Sequence, residues 1–223
     1  MQKKQKVSLV IPTLNEIDSM KEIMPRINKK WVYEIIIVDG GSKDGTVEYS
    51  KRNNYRIISP KVRGLVPQLI EGFKAAKGDT IILFSPDGNS IPELIPGLIK
   101  KIEKGYDMVI VSRYRDGAKS YDDDFFTKIG NFFFTKMVNI FFSAKYTDVL
   151  VIFRGFRKDI FRKIIIEPDG DIDLQLSIKC AKMKLKVAEI PGDEPKRIGG
   201  KRKISILGTG YKLIVGLIKE IFC

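Results

Sequence analysis

The chain contains no histidine. That excludes every mechanism with an imidazole base and every metal site built on imidazole. It has two cysteines, Cys180 and Cys223. They are too few for a four-thiolate zinc site and suit a reduced, cytosolic compartment, although counting alone leaves a bridge between them open. Long apolar runs are missing too. The basic start leads into an apolar stretch that stops at Pro12, too short for a signal peptide or a membrane span. Acidic residues are scarce relative to basic ones: 27 against 40, a net charge of +13. Such an excess favours an anionic partner: nucleic acid, nucleotide, phosphate or an anionic membrane. It is concentrated at the end, where Glu220 is the only acid from Lys196 onward.

What is present is enough for one folded domain with a short appendage: 223 residues, 43% hydrophobic and 30% charged. The first half alternates apolar β-branched runs with helical spacing. Val7–Ile11, Glu34–Val38, Tyr55–Ile58, Asp79–Phe84 and Met108–Val111 read as strands. Glu16–Asn28, Leu65–Ala76 and Pro92–Lys104 read as helices, and Asp44 as a helix N-cap. Continuously apolar strands separated by amphipathic helices predict an α/β fold, a mostly parallel sheet sandwiched between helical layers. The second half is less regular. Tyr121–Phe142 holds seven phenylalanines, which suit either a core helix or a membrane-facing one. Asp122-Asp123-Asp124 before them reads as a capping and solvated run rather than a metal site. Lys186–Ile190 reads as another strand, and Tyr211–Phe222 as an amphipathic helix.

In a parallel sheet, ligands bind beyond the carboxyl ends of the strands. Strand one ends in Pro12-Thr13-Leu14-Asn15-Glu16, strand two in Asp39-Gly40-Gly41-Ser42 followed by Asp44, and strand four in Asp87-Gly88-Asn89. Each is an ordinary turn sequence by itself. Together they place carboxylates at three strand ends, where one can accept from a base or ribose and another can hold Mg²⁺ or Mn²⁺ on a diphosphate.

These motifs, in this order, resemble the family 2 glycosyltransferases of the GT-A fold (a Rossmann-like sandwich). Within that family they are most similar to the dolichyl-phosphate or polyprenyl-phosphate sugar synthases. The resemblance covers roughly residues 6 to 203. It implies a catalytic domain over 1–203 and an amphipathic, interfacial helix over 204–223. It implies that Pro12, Asn15, Glu16, Asp39, Gly41, Ser42, Asp44 and Asp87 bind the nucleotide sugar, with Asp87 and Asn89 on the metal. Asp87, Arg113, Asp148 and Arg154 fall on its catalytic positions, and Glu189-Ile190-Pro191 on its E-[VI]-P. Arg113, Arg154, Arg197 and Lys203 fall on the acceptor-phosphate positions, with Gly200 in the same motif. Ile152 stands where the family has a glycine before Phe153-Arg154, and three further departures matter more: Gly40 stands for a second aspartate, Asn89 for the last aspartate of Asp-x-Asp, and Arg202 for a serine or threonine.

The implied reaction is a metal-dependent, inverting transfer from a UDP- or GDP-sugar to a polyprenyl or dolichyl phosphate, giving a β-linked product. A phosphate acceptor is already ionised at neutral pH, its second pKa being about 6. It needs cations to position it more than a base to activate it, which accords with the absent histidine. An alternative is transfer to a saccharide hydroxyl, with Asp148 or Asp173 as base. A second is a non-catalytic nucleotide- or membrane-binding relative. The basic loop after Lys196, without interleaved aromatics, does not read as a nucleic-acid site. Beside the C-terminal helix it suits the cytoplasmic face of an anionic membrane and peripheral attachment there.

Overall fold

A computed structural model describes residues 5–198 and 206–222. The strands are β1 (Val7–Thr13), β2 (Glu34–Asp39), β3 (Arg56–Ile58), β4 (Thr80–Leu83), β5 (Met108–Ser112), β6 (Arg154–Arg157) and β7 (Val187–Pro191). The helices are α1 (Ile17–Ile23), α2 (Thr46–Arg52), α3 (Leu65–Ala75), α4 (Ile95–Glu103), α5 (Phe125–Phe142), α6 (Lys158–Phe161), α7 (Ile172–Lys182) and α8 (Ile206–Phe222). Short 3₁₀ turns at Met24–Arg26 and Pro92–Leu94 take up parts of two stretches that the sequence predicts as single helices. Each contains a proline early in the turn.

The seven strands form one sheet in the order β3-β2-β1-β4-β6-β5-β7. β1 pairs in parallel with β2 and β4, β2 with β3, and β5 with β7. Only β6 runs the other way, antiparallel to β4 and β5. The central strands are buried on both faces, as their unbroken apolar sequences require. Strand order reverses at β1, so the crevice between β1 and β4 is the topological switch point.

The sequence reading contains no strand at Arg154–Arg157. This strand is four residues long and carries an arginine at each end, so no period-2 alternation marks it. Its direction matters for the site. Because β6 is antiparallel, the segment leading into it, Asp148–Phe153, arrives at the same sheet edge where β4 and β5 end.

α5 is longer than most helices and is started by Asp124, whose side chain accepts from the Thr127 N–H at 2.7 Å. Asn131, Phe134, Thr135 and Val138 are its buried residues. α5, α7 and α8 pack against one another. Leu213 and Leu217 turn the inner side of α8 into the core. No helix among the described residues is long and apolar enough to cross a membrane.

Candidate active site

The ends of β1 and β2 are tied into one loop system. Asp39 is 2% exposed. One of its carboxylate oxygens accepts from the Gly41 and Ser42 N–H groups at 2.9 and 3.0 Å. The other accepts from the Thr13 and Ser42 hydroxyls. Asp39 therefore shapes the turn that follows β2, with four donors already on its carboxylate. Asp44 binds in two directions: it accepts from the Thr46 N–H at 3.0 Å and from the Ile17 N–H at 3.0 Å. It thus caps α1 as well as supporting the first turn of α2, whose own N-cap is Gly45. Asn15 donates its N–H to Ser42 Oγ at 2.9 Å, and its side-chain oxygen accepts from the Lys43 N–H at 2.8 Å. Pro12 lies in β1, paired with Val38. A Cβ on Gly40 would lie 3.1 Å from Gln68 Oε1 and 3.4 Å from the Thr13 carbonyl oxygen. The glycine and the glutamine therefore go together. The sequence shows Gly40 as a departure, but gives no sign that a residue of α3 fills the space beside it.

At the end of β4, Asp87 meets the segment that follows β7. Asp87 Oδ1 accepts from the Asn89 N–H at 3.1 Å. Its Oδ2 lies 2.6 Å from Arg197 Nη2. Arg197 Nη1 is 4.0 Å from Glu16 Oε1. One guanidinium thus spans the end of β1 and the end of β4. The backbone holds it there: the Ile198 N–H donates to the Asp87 carbonyl oxygen at 2.7 Å, and Asn89 Nδ2 donates to the Pro195 carbonyl oxygen at 2.8 Å. Gly88, at φ 94°, allows this approach, since a Cβ there would lie 2.7 Å from the Ile198 side chain. Lys203, Gly200 and Arg202 lie outside the described residues.

Arg113 stands at the end of β5 with its side chain 6% exposed. It holds Asp148 bidentately, Nε to Oδ2 at 2.7 Å and Nη2 to Oδ1 at 3.0 Å. Its Nη1 reaches Asp123 at 2.9 Å and Glu194 at 3.2 Å. Burial opposes the charge, but Asp148, Glu194 and Asp123 outweigh it and raise the arginine's pKa. Burial likewise raises Glu194 despite the arginine beside it. Glu189 pins the turn that presents Asp148, accepting from the Thr147 and Asp148 N–H groups at 2.8 and 3.2 Å.

Arg154 has no exposed surface. It donates to the carbonyl oxygens of Val149, Val151 and Asp173 and to Ser177 Oγ. It staples the approach to β6 onto the start of α7. Two acceptor-phosphate assignments are corrected here. The guanidiniums of Arg113 and Arg154 are buried and taken up by protein acceptors, so neither faces a ligand in this arrangement. Of the described residues among the four assigned cations, Arg197 alone keeps an appreciable exposed part, 23% of its side chain. A second correction concerns the acidic run. Asp124 is the cap, but Asp123 is buried against Arg113 and Tyr114, and Asp122 accepts from the Arg197 N–H at 3.2 Å. Asp123, read in the sequence only as part of a capping and solvated run, and Glu194, which the sequence does not single out, are the organising residues. Their only signal is a charge that has to be buried, and burial is not readable locally.

Asp173 lies in the first turn of α7 with its side chain 13% exposed. Burial pushes its carboxyl from 3.8 up to about 7, against the opposing pull of Arg154 at 3.5 Å. The folded state therefore keeps this proton longer than the unfolded chain does. The associated stability is fully present below about pH 4 and is lost as pH rises through 7. Asp173→Asn, which cannot ionise, is expected to match the parent near pH 4 and to gain on it steadily up to pH 8, in urea unfolding. A difference that does not change with pH would contradict the raised value.

A family model described as Glycosyl transferase family 2 matches residues 8–165. A dolichol-phosphate mannosyltransferase of Pyrococcus furiosus is 32% identical over 210 residues, covering 89% of this chain and 59% of that protein. The chain thus spans less than two thirds of that relative's length. An undecaprenyl-phosphate 4-deoxy-4-formamido-L-arabinose transferase of Pseudomonas fluorescens is 34% identical over 115 residues, covering 46% of this chain and 34% of that protein. Among solved structures, the glucosyl-3-phosphoglycerate synthase of Mycobacterium tuberculosis with Mn²⁺, UDP and phosphoglyceric acid superposes with a TM-score of 0.78. It does so at 18% identity, covering 97% of this chain and 78% of that one. The shared fold is the GT-A fold.

Proposed function

The chain belongs to glycosyl transferase family 2 and is a glycosyltransferase, and from that premise we propose that it transfers a sugar from a nucleotide diphosphate to a polyprenyl phosphate at a membrane surface. The observation that carries this reading is the Arg197 guanidinium held between Glu16 and Asp87 at the switch point. Two carboxylates flank one positive charge there, and carboxylate oxygens are the ligand type that Mg²⁺ or Mn²⁺ takes. Asp87, with Asn89 beside it, is the residue to hold such an ion together with diphosphate oxygens. When bound, the metal supplies Lewis-acid stabilisation of the departing diphosphate.

The protein's own residues do the rest. The loop system of Asn15, Glu16, Asp39, Gly41, Ser42 and Asp44 shapes the nucleotide side. Asp39 acts there by fixing backbone N–H groups rather than by offering free oxygens. Arg113 and Arg154 are positioning residues: they hold Asp148 and the start of α7 in place. Arg197 is the cation poised for an anionic acceptor, beside Asp87. The name of the Pyrococcus relative, a dolichol-phosphate mannosyltransferase, supports a lipid-phosphate acceptor. The test is transfer of labelled sugar from a panel of UDP- and GDP-sugars to a short polyprenyl phosphate, with Mg²⁺ or Mn²⁺. No transfer from any donor would defeat the reading.

A hydroxyl acceptor is the second reading. Asp173 favours it, being partly exposed with a carboxyl near pH 7, the range in which a general base works. Asp148 does not, since it has no exposed surface and both oxygens bind Arg113. If the protein glycosylates a saccharide and Asp173→Asn abolishes that while polyprenyl phosphate is inert, the second reading replaces the first.

Arg197 also predicts opposite effects on two ligands. Arg197→Ala removes a competitor from Asp87 Oδ2 and a cation from the acceptor. Mn²⁺ affinity in the presence of UDP, read by calorimetry, is expected to rise about tenfold, the equivalent of about 1.4 kcal/mol. The KM for polyprenyl phosphate is expected to rise rather than fall. A variant in which Mn²⁺ affinity drops would show that Arg197 supports the metal site instead of competing with it.

A further inference from the structure

α5 faces outward with its most apolar side. Phe125, Phe126 and Phe132 are 70%, 74% and 66% exposed, with Phe133 and Ile140 at least half exposed. At about 100° per residue, Phe125, Ile129, Phe132, Phe133, Lys136 and Ile140 fall within one arc of roughly 100°. The opposite side, Asn131, Phe134, Thr135 and Val138, is the buried one. Core packing therefore does not account for the phenylalanine density. α8, packed against α5, repeats the pattern with Tyr211, Ile214, Ile218 and Phe222 exposed.

The charges decide what covers these faces. α5 contains no acidic residue, and its exposed charges are Lys128 and Lys136, the latter 5.7 Å above the Phe132 ring. α8 contains one acid, Glu220, and it is turned inward: it pairs with Lys179 at 2.6 Å and Lys182 at 2.9 Å on α7. Its exposed charges are Lys212 and Lys219. The outer faces of both helices thus carry apolar and cationic side chains together. Protein–protein interfaces are depleted in lysine. An apolar stripe with lysines alone fits an interface with anionic lipid, where rings enter the headgroup region and each nearby lysine is attracted to the negative surface.

The position of α5 ties this face to the site. Asp122 and Asp123, immediately before the helix, hold the Arg197 backbone and the Arg113 side chain. Phe125 and Phe126 follow within three residues. We infer that the α5 face, seconded by α8, docks on an anionic phospholipid leaflet and so brings the Arg197 end of the site to the membrane surface. The docking stands on its own observations, while the delivery of a lipid phosphate rests on the proposed function.

Flotation with phosphatidylcholine vesicles, with and without phosphatidylglycerol, tests the docking. The parent protein is expected to bind the anionic vesicles at least tenfold better than the neutral ones. Phe126→Ser/Phe132→Ser/Phe133→Ser is expected to lose at least tenfold in binding with a melting temperature close to the parent's, because these rings are at least half exposed. Lys128→Glu/Lys136→Glu is expected to lose the preference for anionic lipid. The triple serine variant should transfer sugar normally to a water-soluble short polyprenyl phosphate and poorly to a long one embedded in vesicles. If the parent floats but transfers to neither acceptor, the docking face is supported and the proposed function fails. If the triple variant floats like the parent, the docking is overturned. It is equally overturned if the parent ignores vesicles and light scattering shows a dimer that the serines dissociate.

Discussion

Asp87→Asn is expected to lower sugar transfer by about 10³-fold, the scale on which a single preorganised charge contributes to a developing oxyanion. The substitution keeps the size of the side chain and an oxygen that can still accept from the Asn89 N–H. It removes the negative charge that now holds Arg197 at 2.6 Å and that a divalent ion requires. The Asp87 side chain is buried, at 7% exposure, but the isosteric amide keeps its volume, and the Arg197 left behind is 23% exposed and still reaches water, so the fold has little at stake. Mn²⁺ should consequently lose its effect on the melting temperature in the presence of UDP, while the melting temperature without ligand stays close to the parent's. Turnover within tenfold of the parent would remove Asp87 from the leaving-group side of the reaction. It would also take the switch-point site down with it.

Arg113→Met is expected to produce the largest loss of stability, about 3–5 kcal/mol, the usual cost of leaving buried charge without its partner. Three carboxylates, Asp148, Asp123 and Glu194, converge on this one guanidinium. Without it Glu194, already raised by burial, would hold its proton to still higher pH in the folded state than in the unfolded chain. That contribution would then be lost as pH rises, so the deficit should be largest near pH 8 and shrink toward pH 5. For a chain of this length that corresponds to a fall in melting temperature on the order of 10 °C at neutral pH. Arg113→Lys should fall between the two, keeping the charge but not the two-pronged grip on Asp148. A methionine variant as stable as the parent at pH 8 would mean that the cluster is not a folding element.

The legible part of this protein is its periodic part. β1, β2, β4 and β5 are continuous apolar runs, and the loops after them carry recognisable motifs, so their shared edge follows from the direction that a parallel sheet imposes. The strand β6 was not legible. It is short and framed by arginines, and it is held in the sheet by its neighbours rather than by any pattern of its own. The site divides in the same way. The motifs locate Asp87, Arg113, Asp148 and Arg154, but they do not say which guanidiniums face a ligand. Arg113 and Arg154 read as cations for a phosphate, yet both are buried among protein acceptors. Asp123 read only as part of an acidic run and Glu194 carried no signal, because their shared partner Arg113 lies 10 and 81 residues away.

The alternation of strand and helix, the family, the acidic loops at three strand ends and the excess of positive charge are all legible in the residues alone. These are local or compositional properties, set by side-chain period and residue type. The placement of each charge comes from the folded arrangement. That arrangement turned Arg113 and Arg154 inward and placed Arg197 across Glu16 and Asp87. It also drew Glu220 onto α7, leaving α5 and α8 with rings and lysines outside. Burial and pairing depend on contacts between distant segments, and those exist only after the antiparallel β6 and the three packed helices have brought the segments together.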